Sequence, residues 1–223
     1  MRLRSEFYIG PALKFLSALD MMHLMERSLR RADIPYALSE GFNPHIKLSM
    51  GTVLPVGLWG KKEYMDLELR TAMEADVFTD KVNAVLPAGM FINKSVVLAD
   101  FHPALMKIIN AASYGFIWTS SGDYFANLAV ELMKRPTLIV KSRGKKKHLD
   151  KDLKKGIYKI ESKVYDNVEY IKTLVAVGDP INIRYDEILD LFFKHGASAE
   201  ALINVYRSGN YILKNGELLS PMP

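Results

Sequence analysis

The sequence predicts a mixed α+β protein built from two tandem ferredoxin-like units, each with the order β-α-β-β-α-β, an antiparallel sheet and both helices on one face. Three observations predict this class. Apolar residues alternate in some segments, recur every three or four residues in others, and the two kinds of segment succeed one another in the same order twice. We expect the units to cover residues 1–102 and 103–223.

The first unit begins with an alternating segment, Arg2–Ile9, which stops at a Gly-Pro pair and is predicted to be a strand. Leucine and methionine then recur at helical spacing from Leu13 to Leu29, ahead of Pro35. The same patterns predict strands at 47–55 and 64–70, a helix at 73–86 and a strand at 90–98.

The second unit repeats this order with weaker signals. The patterns predict strands at 105–118, 137–141, 168–177 and 201–213, and helices at 123–134 and 184–195. A basic segment at about 142–164 falls where a hairpin or loop belongs. Because like charges repel one another, we expect this segment to be a solvated loop that interrupts the second unit.

The positive charge of the chain is concentrated in one stretch. The 30 Lys and Arg exceed the 25 Asp and Glu by 5, but residues 134–163 hold twelve basic and three acidic residues, a net +9, which leaves −4 elsewhere. Phosphates are natural partners of such a segment, and Tyr158, Tyr165 and Tyr170 could stack on bases. An acidic protein partner and a loop that serves only solubility are the alternatives. The candidate nucleic-acid contacts are Lys141, Arg143, Lys145, Lys146, Lys147, Lys151, Lys154 and Lys155.

Composition excludes several kinds of chemistry. The absence of cysteine excludes disulfides, thiolate nucleophiles, cysteine zinc sites and iron–sulfur clusters held by this chain. The five histidines are scattered without metal-ligand spacing, and no phosphate-binding glycine loop or GxSxG serine elbow is present. No apolar run approaches the ~18 residues of a membrane helix. With no secretory signal evident, we expect a cytoplasmic protein that does not contact membranes.

Polar residues that could form a site are densest between residues 14 and 47. Asp20, His23 and Arg27 share one face of the first predicted helix, with Arg30 nearby, where they could orient an imidazole or bind an anion. An ordinary solvated helix face is the alternative. The loop 40–45, Glu-Gly-Phe-Asn-Pro-His, combines turn residues with an aromatic ring, an amide and an imidazole. It could face a ligand, or Phe42 could fill the core as part of a purely structural turn.

Residues 13–57 resemble a bacterial family of unknown function described as radical-SAM-linked proteins, whose pattern is close to KFLSHLD…RALRRA…P…SEGFNPHPKLSF…PLPVG. This stretch is LKFLSALDMMHLMERSLRRADIPYALSEGFNPHIKLSMGTVLPVG here. Members occur beside, or fused to, a radical SAM protein that often carries a cobalamin-type domain. The resemblance therefore implies a radical SAM partner, which would supply S-adenosylmethionine and the iron–sulfur cluster, so that no cofactor is bound by this chain.

Two positions depart from the family pattern. Ala18 stands where the family usually has a histidine, and Ile46 stands where it usually has a proline. If the family's histidine serves as an acid or base, this chain has lost it, which argues against an enzyme. The resemblance implies a ligand or partner surface formed by the matching motif residues. These are Lys14, Ser17, Asp20, Arg27, Arg30, Arg31, Ser39, Glu40, Gly41, Asn43, Pro44, His45 and Lys47.

Three functions are compatible with these features. The favoured one is a non-catalytic accessory protein of a radical SAM enzyme, which binds RNA such as tRNA or rRNA or presents a substrate. The second is a metal-independent endoribonuclease resembling CRISPR repeat-processing nucleases, with His23 or His45 as general base and Lys14, Arg27 or Arg30 stabilising the phosphorane. The third is a small-molecule enzyme that uses the loop 40–45.

Overall fold

The computed structural model describes residues 1–99, 101–119, 122–144 and 149–223. They form two compact units. Unit 1 comprises Met1–Ile109 and Gly209–Pro223, and unit 2 comprises Asn110–Ser208. This division differs from the expected boundary after residue 102, because the chain returns to unit 1 at its carboxyl end.

Unit 1 begins with alternating strands and helices, as the apolar patterns predict. In chain order its first elements are β1 (Arg2–Ile9), a 3-10 turn (Pro11–Leu13), α1 (Ala18–Arg31), β2 (Leu48–Met50), β3 (Trp59–Glu68), α2 (Ala75–Asn83), β4 (Met90–Leu98) and α3 (Leu105–Ile108). The predicted strands 2–9 and 90–98 are present with these bounds or within one residue of them. The predicted strand 47–55 is reduced to the three residues of β2.

The sheet of unit 1 is antiparallel. β1 pairs with β3 and β4, and the short β2 pairs with β3, so these four strands have the order β4-β1-β3-β2. β3 also pairs with a later strand of the chain. Alternate residues of β1 are buried in one core with both long helices. Leu3 and Phe7 share this core with Met25 of α1 and Phe78 of α2. Both helices therefore cover the same face of the sheet.

Helix α1 begins with a capping box. Ser17 Oγ accepts a hydrogen bond from the backbone N–H of Asp20 (3.1 Å), and Asp20 Oδ2 accepts one from the backbone N–H of Ser17 (3.1 Å). The Ser17 hydroxyl also donates to Asp20 Oδ2 (2.6 Å). These bonds satisfy amide groups that the first turn of a helix leaves without partners. They lower the pKa of Asp20, and the charges of His23 and Arg27 lower it further.

The other face of the unit 1 sheet contains a buried ion pair. The guanidinium of Arg4 donates from Nε and Nη2 to the two carboxylate oxygens of Asp66, at 2.7 and 2.8 Å. It also donates to the carbonyls of Pro103 and Pro221, both at 2.9 Å. Both charged side chains are at most 5% exposed. Arg4 thus connects β1 and β3 to the segment before α3 and to the last residues of the chain.

Unit 2 contains the remaining elements in a similar succession. They are β5 (Ala111–Thr119), α4 (Tyr124–Lys134), β6 (Ile139–Lys141), β7 (Asp150–Asp152), a 3-10 turn (Lys154–Gly156), β8 (Ile157–Tyr165), β9 (Val168–Ala176), α5 (Tyr185–Lys194) and β10 (Leu202–Lys214). The part of β10 up to Ser208 belongs to unit 2 and the rest to unit 1. In unit 1, β11 (Glu217–Leu219) pairs antiparallel with the end of β10.

Aromatic side chains hold the helices of unit 2 against its sheet. The strand order is β10-β5-β9-β8, and β9 is antiparallel to both β5 and β8. On β5, the ring of Phe116 lies 5.4 Å from that of Phe192 in α5, and the ring of Trp118 lies 4.9 Å from that of Phe125 in α4. Both helices therefore lie on the face to which Phe116 and Trp118 point.

Two expectations for the second half of the chain are corrected. Residues 142–164 are not one loop, because 157–164 belong to β8, where Ile157 and Ile160 are buried and the strand pairs along β9. Apolar burial outweighs the lysines on the exposed side of this strand. The predicted strand 105–118 is also split. Leu105–Ile108 form a helical turn whose Leu105 is buried, and the strand begins at Ala111.

The mixed α+β class is confirmed, with antiparallel strand pairs in both units and five helices among the described residues. The tandem ferredoxin-like arrangement stays a prediction. None of the helices within the described ranges is long and apolar enough to cross a membrane.

Asp66→Ala is expected to lower the free energy of unfolding by about 3–5 kcal/mol, because it leaves the buried guanidinium of Arg4 without its counter-charge. Urea denaturation of the variant and the wild type measures this difference. The double variant Arg4→Met with Asp66→Leu is the matched control, since it removes both charges and should be more stable than the single variant. A loss below about 1 kcal/mol for Asp66→Ala would show that water reaches the guanidinium.

Asp20→Ala is expected to lower the melting temperature at neutral pH. The folded-state pKa of Asp20 is lowered, so its contribution is present above the unfolded value near 3.8 and is lost as the pH falls through the folded value. The difference in melting temperature between variant and wild type should therefore shrink on acidification. Asp76→Ala, in the first turn of α2 without a capping box, is the control. An equal difference at both pH values would contradict the capping role.

Candidate functional site

A cavity of about 170 Å³ opens in unit 1. Two segments that are distant in sequence form most of its wall, namely residues 13–22 at the start of α1 and residues 50–58 between β2 and β3. The end of β1, the middle of β3 and Met106 of α3 complete it. Its apolar lining includes Leu16, Met21, Met22, Met50, Leu54 and Leu58. We refer to this cavity as the methionine pocket.

Backbone hydrogen bonds hold the two segments of the methionine pocket in place. The N–H of Gly57 donates to the carbonyl of Lys14 (2.6 Å), and the N–H of Gly51 donates to the carbonyl of Tyr64 on β3 (2.8 Å). The main chain of the pocket wall is therefore fixed. Its methionine side chains are flexible and polarisable, which allows them to adapt to apolar groups of different shape.

One end of the methionine pocket is polar. Glu63 on β3 is 3% exposed and accepts a hydrogen bond from Asn210 Nδ2 (3.2 Å), and Asn210 Oδ1 accepts one from the hydroxyl of Thr52 (2.7 Å). Glu63 and Thr52 both line the pocket. A few fixed polar groups in an apolar cavity are typical of a site that orients a small ligand.

Ala18 lies in the wall of the methionine pocket. This is the position at which the family pattern has a histidine, so the pocket has a methyl group where an imidazole would stand. Tyr64, also in the wall, donates its hydroxyl hydrogen bond to Glu6 (2.8 Å). Burial, followed by this hydrogen bond, raises the pKa of Tyr64, which keeps the phenol neutral.

The loop 39–45 is closed at its base and displays its side chains to solvent. The N–H of Ser39 donates to the carbonyl of His45 (2.8 Å), and the N–H of His45 donates to Ser39 Oγ (3.0 Å). Gly41 has φ +116°, a backbone conformation that side chains disfavour. Phe42 is fully exposed and does not fill the core. Residues Glu40, Asn43, Pro44 and His45 are exposed as well.

The polar residues predicted to share one face of α1 do not all have the same role. Asp20 is used by the capping box, which the spacing Ser-x-x-Asp in the sequence already indicates. His23, Arg27 and Arg30 are exposed, and their side chains make no hydrogen bond or ion pair with the described part of the chain. Arg31 instead donates to the carbonyl of Val85 (2.7 Å).

The two predicted lysines at the ends of the motif have local partners. Lys14 Nζ lies 5.2 Å from the centre of the Phe15 ring, which is a cation–π distance. Lys47 Nζ lies 3.1 Å from Glu68 Oε2 in an exposed ion pair. An exposed pair of this kind contributes little to stability.

Most described cations of the basic segment are paired within unit 2. Lys141 binds Asp150 (2.6 Å), and Arg143 binds both carboxylate oxygens of Asp190 on α5 (2.7 and 2.8 Å). Lys151 binds the buried Glu187 (2.6 Å), and Lys154 donates to the carbonyl of Met133 (2.5 Å). Lys155 is exposed. Lys145, Lys146 and Lys147 lie outside the described residues.

Glu187 is the centre of this pairing. It is 0% exposed and, besides Lys151, accepts hydrogen bonds from the backbone N–H groups of Arg143 and Arg184, both at 3.0 Å. A buried carboxylate needs such compensation. The basic hairpin β6-β7 is therefore attached to α5 by its charges, in contrast to the expected self-repelling loop.

The candidate histidines and carboxylates form neither a metal site nor an acid–base pair among the described residues. Within the described ranges, no group of three His, Asp or Glu side chains could hold a metal ion. His23 lies on α1 and His45 in the loop 39–45, and no hydrogen bond within the described residues orients either imidazole. The structure therefore does not bring the two candidate bases together with a positioning partner.

The sequence did not predict the methionine pocket. The sequence pattern predicts that its residues belong to the helix core and to a strand, because their spacing is that of ordinary burial. The available signal was the resemblance itself, since the matched stretch begins and ends at the two segments that form the pocket wall.

Solved structures show only distant likeness. A Cbf5-Nop10-Gar1 complex (TM-score 0.48, 13% identity) and an H/ACA RNP bound to a substrate RNA containing 2'-deoxyuridine (TM-score 0.43, 11% identity) align with 94% and 96% of this chain. The alignments cover 48% and 47% of those chains, so this chain spans about half their length. An unknown protein from Galdieria sulphuraria aligns with 93% of this chain and 96% of its own (TM-score 0.25, 10% identity). TM-scores below 0.5 carry no information about function.

Sequence comparisons give the family. A search of curated proteins found no match. The family described as "Uncharacterized protein conserved in bacteria (DUF2344)" matches residues 2–185, which is most of the chain. The protein therefore belongs to this bacterial DUF2344 family.

Proposed function

We propose that the protein is a non-catalytic accessory protein of a radical SAM enzyme and that it holds the apolar part of a substrate in the methionine pocket. One observation carries this proposal. The segment 13–57, on which the radical-SAM-linked resemblance rests, contributes both main walls of the pocket. A sequence pattern that begins and ends at one cavity is explained simply if the cavity has a ligand.

The composition supports a function in which a partner protein, and not this chain, holds the iron–sulfur cluster. A chain without cysteine has no thiolates to bind an iron–sulfur cluster. The radical SAM partner would supply the cluster and S-adenosylmethionine. The contribution of this chain would be to bind the substrate through apolar contacts and to orient it through the polar end formed by Glu63 and Thr52.

The exposed loop 39–45 is suited to contact the partner. Its base is fixed by two hydrogen bonds, so that Phe42 is presented at little cost in conformational entropy. An exposed phenylalanine is a common anchor in the centre of protein interfaces. We assign this loop, with Asn43 and His45, to docking of the radical SAM enzyme.

RNA binding through the basic segment receives less support than a substrate pocket. Lys141, Arg143 and Lys151 are paired with carboxylates, and phosphates would have to replace those pairs. Replacing an existing carboxylate partner by a phosphate stabilises a complex less than neutralising an unpaired cation does.

A metal-independent endoribonuclease is the second candidate function. The strand orders β4-β1-β3-β2 and β10-β5-β9-β8 support two tandem ferredoxin-like units, the arrangement that suggests this activity. A fold alone says little about chemistry. Because neither His23 nor His45 has a positioning partner among the described residues, we rank this function below the accessory one. Incubation of labelled RNA with the protein in EDTA tests it, and cleavage would favour it.

Ala18→Phe is expected to abolish ligand binding in the methionine pocket, because the added ring fills the cavity from its exposed rim. The full chain is purified from its native host, and small molecules released by denaturation are compared by mass spectrometry. A compound should accompany the wild type and be absent from Ala18→Phe. Ala126→Phe, at an exposed position of α4 in unit 2, is the matched control and should retain the compound.

Two results would contradict the pocket assignment. One is a compound that accompanies wild type and Ala18→Phe equally. The other is the absence of any compound together with no thermal stabilisation by extracts containing the host's small metabolites, since a ligand at 100 times its Kd stabilises the fold by ~2.7 kcal/mol.

Phe42→Ala is expected to weaken capture of a radical SAM protein from native lysate while changing stability by less than about 0.5 kcal/mol, because the ring is fully exposed. Captured proteins are identified by mass spectrometry and by their bound iron. Asn43→Ala with His45→Ala should act in the same direction. Phe101→Ala removes another exposed ring and is the control. Recovery of the same amount of partner by Phe42→Ala, or of no radical SAM protein by the wild type, would overturn the docking assignment.

A further inference from the structure

Unit 2 carries a group of tyrosines and lysines on the sheet face opposite its helices. Gly115 and Ile117 of β5 lie opposite Lys172 and Tyr170 of β9, and Tyr170 lies opposite Lys163 of β8. Side chains alternate along a strand, so these residues point away from the face that carries Phe116 and Trp118. We refer to Tyr165, Tyr170, Tyr206, Lys163 and Lys172 as the tyrosine face.

The three phenol rings lie close together. The rings of Tyr165 and Tyr170 are 5.8 Å apart at 76°, and these residues are 59% and 40% exposed. Tyr206 of β10 lies across Gly115, where a Cβ would overlap its ring. Burial, and secondarily the proximity of Tyr170, raises the pKa of Tyr206. Gly115 thus provides the space in which the third ring joins the group.

The charge beside these rings is positive. Lys159 Nζ lies 2.7 Å from Glu161 Oε1, and this hydrogen bond lowers the pKa of Glu161, with further contributions from the charges of Lys172 and Lys163. Three lysines therefore surround one carboxylate. Lys163 and Lys172 form no ion pair with any described residue, in contrast to the paired cations of the hairpin β6-β7.

We propose that the tyrosine face binds a single-stranded nucleic acid, with bases stacked on Tyr165, Tyr170 and Tyr206 and phosphates at Lys163 and Lys172. Two exposed rings and a partly buried third, beside two lysines without an ion pair among the described residues, suit unstacked bases on a phosphate backbone. A duplex hides its base faces, and an acidic peptide would leave the rings unused. The proposal is independent of the methionine pocket, because the tyrosine face lies wholly within unit 2.

Fluorescence anisotropy with the full chain tests this proposal. The probes are short labelled oligouridine and oligoadenosine RNAs, the corresponding DNAs and an RNA duplex, each titrated between about 50 and 200 mM salt. We expect single strands to bind more tightly than the duplex, with affinity falling as salt rises. Tighter binding of RNA would assign the site to RNA, and tighter binding of DNA would assign it to DNA.

Two variants separate stacking from charge. Tyr170→Leu keeps an apolar side chain on the strand and should weaken binding roughly ten-fold without changing the salt slope. Lys163→Gln with Lys172→Gln should reduce the magnitude of the log–log salt slope by about 1.4, since each phosphate contact on a single strand contributes about 0.7. Thermal unfolding verifies that each variant is folded.

Lys81→Gln with Lys134→Gln is the matched control, because it removes the same charge from exposed positions on α2 and α4. It should leave the affinity and the salt slope close to wild type. Binding weaker than about 100 μM at low salt would overturn the proposal. Equal binding of the duplex, or unchanged affinity of Tyr170→Leu, would overturn it as well. Ala18→Phe should bind these oligonucleotides as the wild type does, whatever the outcome for the methionine pocket.

Discussion

The buried pair of Arg4 and Asp66 is the constraint on which the rest of unit 1 depends. A guanidinium that is 1% exposed must have its donors satisfied, and here two carboxylate oxygens and the carbonyls of Pro103 and Pro221 satisfy them. This requirement fixes the register of β1 against β3. With Arg4 opposite Asp66, Phe7 lies opposite Glu63, which brings a carboxylate to the end of the methionine pocket. The same guanidinium binds the carbonyl of Pro221, and Asn210 binds Glu63, so two hydrogen bonds connect the carboxyl-terminal segment to β1 and β3 within unit 1.

The net charge of a sequence segment does not tell which of its cations are free of ion pairs in the folded protein. The +9 segment appears uniform in sequence, yet its described cations differ in their surroundings. Lys141, Arg143 and Lys151, on and beside the hairpin β6-β7, are paired with Asp150, Asp190 and Glu187. Those on β8 lie beside exposed tyrosines with one carboxylate among them. The partners on α5 are about 40 residues away in sequence, so only the fold could reveal which lysines remain available.

The elements that the sequence predicted correctly are those whose apolar residues recur at regular local spacing. The strands β1, β4 and β9 and the helices α1, α4 and α5 have apolar positions at clear spacing, and each is present close to its expected place. β8 was missed because its lysines suggested a solvated loop and because its two buried isoleucines, Ile157 and Ile160, are three residues apart. A register shift between Ile157 and Lys159 breaks the alternation expected of a strand. The spacing Ser-x-x-Asp indicates the capping role of Asp20, whereas the helix-face pattern suggested imidazole orientation, anion binding or an ordinary solvated face.

The two proposed sites differ in how far the sequence could indicate them, and the difference is physical. Residues on one face of a sheet can be predicted from their alternation along a strand, and the sequence indicates Tyr165 and Tyr170 as possible stacking residues. Tyr206 lies beside them only because β10 pairs with β5. No comparable sequence pattern predicts a pocket. Its wall requires Gly57 to meet Lys14 and Asn210 to meet Glu63, contacts separated by up to 147 residues. Loss of any of these contacts would deform the pocket without altering any local pattern, which is why long-range hydrogen bonds, and not the motif alone, decide whether the cavity exists.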